Sequence, residues 1–79
     1  MKEITVEVTI LECGHYGLDD QTARLELYPV QGVNFATLSP ESRSPLTWHI
    51  KELVREGDLL TIKGPNTRWR LRVERELDS

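Results

Sequence analysis

Residues 3–10 read Glu-Ile-Thr-Val-Glu-Val-Thr-Ile, so Ile4, Val6, Val8 and Ile10 alternate with Glu3, Thr5, Glu7 and Thr9. Successive side chains of a strand point to opposite faces, and a helix would scatter this pattern around its circumference. Four β-branched aliphatics on one side and polar groups on the other predict a half-buried strand over about 3–11. The same alternation closes the chain. Trp69, Leu71 and Val73 share one face of a strand predicted over 67–74, and Arg68, Arg70 and Arg72 share the other. Two strands do not bury a face on their own, so the remaining residues must supply more sheet.

They do so in order. Ala23, Leu25 and Leu27 alternate with Thr22, Arg24, Glu26 and Tyr28, predicting a strand over 22–28 that Pro29 ends. Gln31-Gly32 reads as a turn. Residues 33–38 read as a third strand, with Val33 and Phe35 on one face and Phe35 assigned to the core. Residues 58–63 form another strand, followed by a Gly64-Pro65-Asn66 turn. Between them, Leu46, Ile50, Leu53 and Val54 fall at i, i+4, i+7 and i+8, the spacing of one helical face. With Ser44-Pro45 as a start signal, Arg55 in the last turn and Gly57 as a stop, a helix is expected over about 45–56.

The expected fold class is therefore mostly β with one α-helix, in the order β-β-β-α-β-β. That is the element order of a small five-stranded OB-like barrel, whose helix lies between strands three and four. The alternatives are an SH3-like barrel and an antiparallel sheet with one packed helix.

Seventy-nine residues have room for one core, so 1–79 is expected to be a single domain. Hydrophobic residues make up 38% and charged residues 29%, as in ordinary globular chains. Apolar runs never exceed short pairs, so no membrane span or signal-peptide core is expected. One cysteine precludes an internal disulfide and suits a reducing, cytoplasmic setting. The formal net charge is −3, which disfavours a nonspecific grip on nucleic acid. It is unevenly spread. Residues 1–42 hold two basic and seven acidic residues (2 − 7 = −5), and residues 43–79 hold eight and six (8 − 6 = +2).

Two surfaces are candidates for function. On the last strand, Arg68, Arg70 and Arg72 would stand about 6–7 Å apart on one face. Like charges this close need an answer, either from an anionic ligand or from neighbours such as Glu26 or Glu74. In an OB-like barrel Arg24, Tyr28 and Asn34 would lie near the row, and the row with Arg24, Lys63 and Tyr28 would give charge for phosphates and a ring for bases. The second surface is Trp48, placed by the helix opposite its apolar stripe and beside Lys51 and Arg55. An exposed tryptophan is an interface anchor; a helix starting later would tuck it into the barrel end instead. His49 would pack at the edge of the helix's apolar face.

Cys13-Gly14-His15, with Asp19 and Asp20 nearby, is the one cluster of reactive types, and it falls short of a zinc ligand set or a nucleophile–base–orienter arrangement. No phosphate loop, nucleophile elbow or dinucleotide fingerprint occurs. The expectation is a non-catalytic protein-interaction module with no cofactor or metal: a subunit, adaptor or inhibitor that docks on a larger protein or on itself through Trp48, Lys51 and Arg55. The alternative is single-stranded nucleic-acid or nucleoprotein binding through Arg24, Tyr28, Lys63, Arg68, Arg70 and Arg72.

Overall fold

The computed structural model describes residues 3–13 and 17–77, and among them every regular element is a strand. They are β1 (Ile4–Glu12), β2 (Thr22–Val30), β3 (Val33–Pro40), β4 (Leu46–His49), β5 (Glu52–Glu56), β6 (Leu59–Lys63) and β7 (Arg68–Leu77). All pair antiparallel in one sheet of order β4-β3-β2-β1-β7-β6-β5. The sheet is strongly curled into an open half-barrel. Its extents of 31 × 28 × 25 Å show the curl directly, because a flat single sheet is thin in one dimension.

The concave face holds the core. Val6, Val8 and Ile10 of β1 meet Ala23, Leu25 and Leu27 of β2, Ala36 and Leu38 of β3, Leu60 and Ile62 of β6, and Trp69, Leu71 and Val73 of β7. These are the inward positions of the alternating strands, so periodicity and burial agree from β1 to β7. The β1–β7 register slips between Glu7 and Val8 and again between Ile10 and Glu12. Each slip is a bulge that adds local twist and helps the sheet curl.

The helix expected over 45–56 does not form. Leu46–His49 pairs with β3, and Glu52–Glu56 pairs with β6 at the opposite edge of the sheet. Only Ile50 and Lys51 lie between. The Ile50 amide donates to the Asn34 carbonyl of β3 at 2.8 Å, and the next amide, Lys51, donates to the Lys63 carbonyl of β6 at 2.7 Å. The chain thus changes partners between two consecutive residues. This explains the misleading periodicity. Leu46, Trp48 and Ile50 face inward at a period of two, Lys51 and Glu52 are both exposed, and Leu53 faces inward again. One flip of parity within a strand turns spacings of two into i, i+4 and i+7. Gly57, expected to stop a helix, instead opens the two-residue β5–β6 turn with φ +60°, a conformation glycine adopts without steric cost.

The OB-like barrel and both alternatives, which each required a helix or a five-strand barrel, are replaced by this seven-stranded sheet. The last strand lies between β1 and β6, whereas an OB arrangement would set it beside β3.

Phe35 is also corrected. Gln31 (φ 52°) and Gly32 (φ 81°) form a two-residue turn that pairs Val30 with Val33 and Tyr28 with Phe35. Positive φ at both central positions is the turn that matches the twist of a hairpin. The register places Phe35 on the outer face with Tyr28, and Ala36 and Leu38 take the core positions.

Trp48 reaches inward from β4 and stacks on Trp69, with ring centroids 4.8 Å apart and an interplanar angle of 15°. A Cβ built on Gly64 would lie 2.7 Å from Trp48 Cδ1, closer than carbon atoms pack. The glycine therefore makes room for the indole at the end of β6. Gly64→Ala is expected to cost about 1–3 kcal/mol by overpacking, and the cost should shrink in a Trp48→Leu background. Thermal unfolding of the double-mutant cycle measures it; additive costs would mean that the two positions do not touch.

Candidate functional site on the outer face

The charged residues of the row and its predicted partners, Arg24, Lys63, Arg68, Arg70 and Arg72, lie on the convex face, whereas Arg55 pairs with Leu60 and takes the inward parity at the exposed end of β5. Arg68, Arg70 and Arg72 project from β7, as the alternation predicts. Glu74 is a neighbour as expected, but the cross-strand neighbours differ. Arg24 and Tyr28 are on β2, separated from the row by β1, or roughly 10 Å at ordinary strand spacing. Lys63 alone of the predicted partners stands directly opposite the row, paired with Arg68.

Carboxylates answer most of these cations. Arg72 Nε donates to Glu74 Oε2 at 2.8 Å, and Arg70 lies 3.9 Å from Glu12. Arg24 contacts Glu26 at 3.3 Å, Arg75 contacts Glu7 at 3.2 Å and Lys63 contacts Glu52 at 3.6 Å. All are solvent-exposed pairs, individually weak. Together they set opposite charges side by side over the β2–β1–β7 part of the face.

Glu74 owes its place to the first β1–β7 bulge. Val73 pairs with Val8 and Arg75 with Glu7, leaving Glu74 as the extra residue. There Thr9 Oγ1 donates to its Oε2 at 2.7 Å. The hydrogen bonds from Thr9 and Arg72 hold the carboxyl below the ordinary glutamate range, and Glu74 holds Arg72 above its own.

The opposite flank of the face is apolar. Tyr28, Phe35 and His49 sit at paired positions on β2, β3 and β4. Tyr28 and Phe35 rings stack at 6.2 Å and 22°, and the Phe35 and His49 rings are 6.0 Å apart. Tyr28 Oη, Thr37 Oγ1 and Thr47 Oγ1 form a hydrogen-bonded chain of 2.7 and 2.9 Å across the same three strands. Val30 and Val33, opposite each other at the hairpin end, are 46% and 37% exposed. Sequence reasoning missed Val30, Val33, Phe35 and His49 as surface residues. The signal was present in Gln31-Gly32, because a two-residue turn sets the register that turns Phe35 outward.

Trp48, Lys51 and Arg55 do not form one exposed patch. Trp48 belongs to the inner side, with Nε1 buried and without a hydrogen-bond partner among the described residues. Lys51 is exposed at the partner switch. Arg55 is exposed on β5, and its Nε donates to the Gly57 carbonyl at 3.0 Å. His49, expected to pack, is exposed on β4 beside Phe35. Cys13 is buried; its Sγ accepts from the Leu18 amide at 3.1 Å and donates to Asp19 Oδ1 at 3.2 Å, which joins the end of β1 to Leu18 and Asp19. Gly14 and His15 of that cluster lie outside the described residues. Among the described residues no group of three His, Cys, Asp or Glu side chains is placed to hold a metal ion.

Compared with models of known families, with curated proteins and with solved structures, the chain matches none of them.

The Glu74 arrangement has a pH signature. A carboxyl whose folded pKa is lowered adds stability that is present above its unfolded pKa and is lost as pH falls through the folded value. Thr9→Val removes the strongest cause of that lowering. The Glu74 carboxyl carbon should then titrate closer to the ordinary glutamate value by NMR, and the acid-side loss of stability should shrink. An unchanged titration would mean that Thr9 does not hold the carboxylate.

Proposed function

We propose that this chain is a non-catalytic protein-interaction module that docks through the apolar flank of its outer face. One observation carries the reading. The flank keeps Val30 and Val33 exposed, contiguous with the Tyr28–Phe35–His49 row, while the charged part of the same face is largely matched to its own carboxylates. Aromatic rings with aliphatic neighbours make the buried centre of an interface, and polar groups make its rim. Here the rim is supplied by Thr37, Thr47 and the Tyr28 hydroxyl.

This moves the docking surface away from Trp48, whose ring is engaged with Trp69. Pairing of Arg24, Arg70 and Arg72 with glutamates weakens the nucleic-acid alternative, since a strand of phosphates needs a continuous basic track. Self-association through the β5 edge is also disfavoured. β5 carries Glu52, Arg55 and Glu56 within five residues, and charged edges resist the addition of another strand.

A photoreactive amino acid at position 33 tests the proposal in cells that make the protein. One dominant crosslinked protein is expected, with its yield reduced at least tenfold by Phe35→Ala and unchanged by Arg70→Ala. Equal yields from the Phe35→Ala and parent proteins would overturn it.

A further inference from the structure

The partner switch sets three cationic residues on neighbouring backbone segments. The Lys51 amide donates to the Lys63 carbonyl, and Lys63 is the cross-strand partner of Arg68. Three consecutive segments of the sheet, the switch, β6 and β7, therefore each present a cation at one end of the molecule. Among the described residues a single carboxylate answers them, Glu52 at 3.6 Å from Lys63. Among the described residues Lys51 and Arg68 have no ion pair. The spot carries a local charge of +2 (three cations less one carboxylate) on a chain whose formal net charge is −3. It begins two residues along the chain from His49, where the apolar flank ends.

Resting on the docking reading above, we propose that this flank receives an acidic segment of a partner protein. Apolar side chains of that segment would cover Phe35 and Val33, and adjacent carboxylates would meet Lys51, Lys63 and Arg68. Charge complementarity selects the occupant. A local cationic spot beside an apolar surface attracts carboxylates at short range. A nucleic-acid strand would have to continue over the Arg70–Glu12 and Arg72–Glu74 pairs, where glutamates meet its phosphates. The exposed valines offer hydrophobic area that suits side chains better than phosphates.

The site is tested on the whole chain with a twelve-residue peptide in which glutamate alternates with leucine and phenylalanine. The controls are the same peptide with every glutamate replaced by glutamine, and a twelve-nucleotide oligothymidylate. Binding is followed by NMR shift changes at low and at physiological salt. The acidic peptide is expected to bind, to weaken with salt, and to shift Phe35, His49 and Lys51 amides. The glutamine peptide should bind at least tenfold more weakly. Lys51→Glu with Arg68→Glu should cost at least tenfold. Glu52→Gln should tighten binding about twofold to threefold, the size of one exposed charge interaction, a gain that a damaged fold cannot produce.

Equal binding of the glutamine peptide would overturn the acidic preference and leave docking on the apolar flank standing. Tighter binding of oligothymidylate would overturn it in favour of nucleic acid. Binding of neither peptide would overturn it as well, and the crosslink at position 33 would then judge the docking reading separately.

Discussion

Two residues, Ile50 and Lys51, carry the chain from one edge of the sheet to the other. A connection that short cannot span a flat seven-stranded sheet, whose edges would stand roughly 29 Å apart at ordinary strand spacing. The edges must approach each other at that end, so the sheet must curl. The two amide bonds on either side of the switch, to Asn34 and to Lys63, hold both edges to the connection. The inward Trp48 then lies against Trp69 of β7, with Gly64 as the gap that admits it. The curl encloses one core, which is how the described strands bury an aliphatic face on a single sheet.

The same constraint shapes the outer face. Curling turns the alternating polar positions of seven strands into one convex surface with two characters. Where β2, β1 and β7 run together, arginines and glutamates face each other across the ladders. Where β2, β3 and β4 run together, rings face each other. The bulge at Glu74 sharpens the first region by setting its carboxylate between Thr9 and Arg72. The two-residue turn at Gln31-Gly32 creates the second by fixing which side Phe35 takes. The switch itself adds a third feature, because the parity flip leaves Lys51 and Glu52 both pointing outward beside Lys63.

Much of the sheet was legible in the chain. β1, β2 and β7 follow from alternation alone, since a period of two with β-branched residues has one physical reading. The arginine row on β7 followed for the same reason. What misled was residues 45–56, where a strand that changes partners shifts its inward parity and imitates a helix. Nothing local separates the two, because the flip is imposed by β3 on one side and β6 on the other. Phe35 failed in a related way. Its face depends on cross-strand register, and a short strand with apolar residues on both sides does not declare which side is buried.

The amino-acid sequence by itself determined that this protein would be built largely of strands, with Ile4, Val6, Val8 and Ile10 turned inward and the arginines of the last strand turned out. Those facts depend only on the two-residue repeat of an extended backbone. The tertiary structure alone decided which strands are neighbours, and with that the pairing of Arg70 with Glu12 and of Arg75 with Glu7, the meeting of Tyr28, Phe35 and His49, the burial of Trp48, and the gathering of Lys51, Lys63 and Arg68. Each of these joins residues on different strands, and strand pairing is set by how the whole sheet closes on its core.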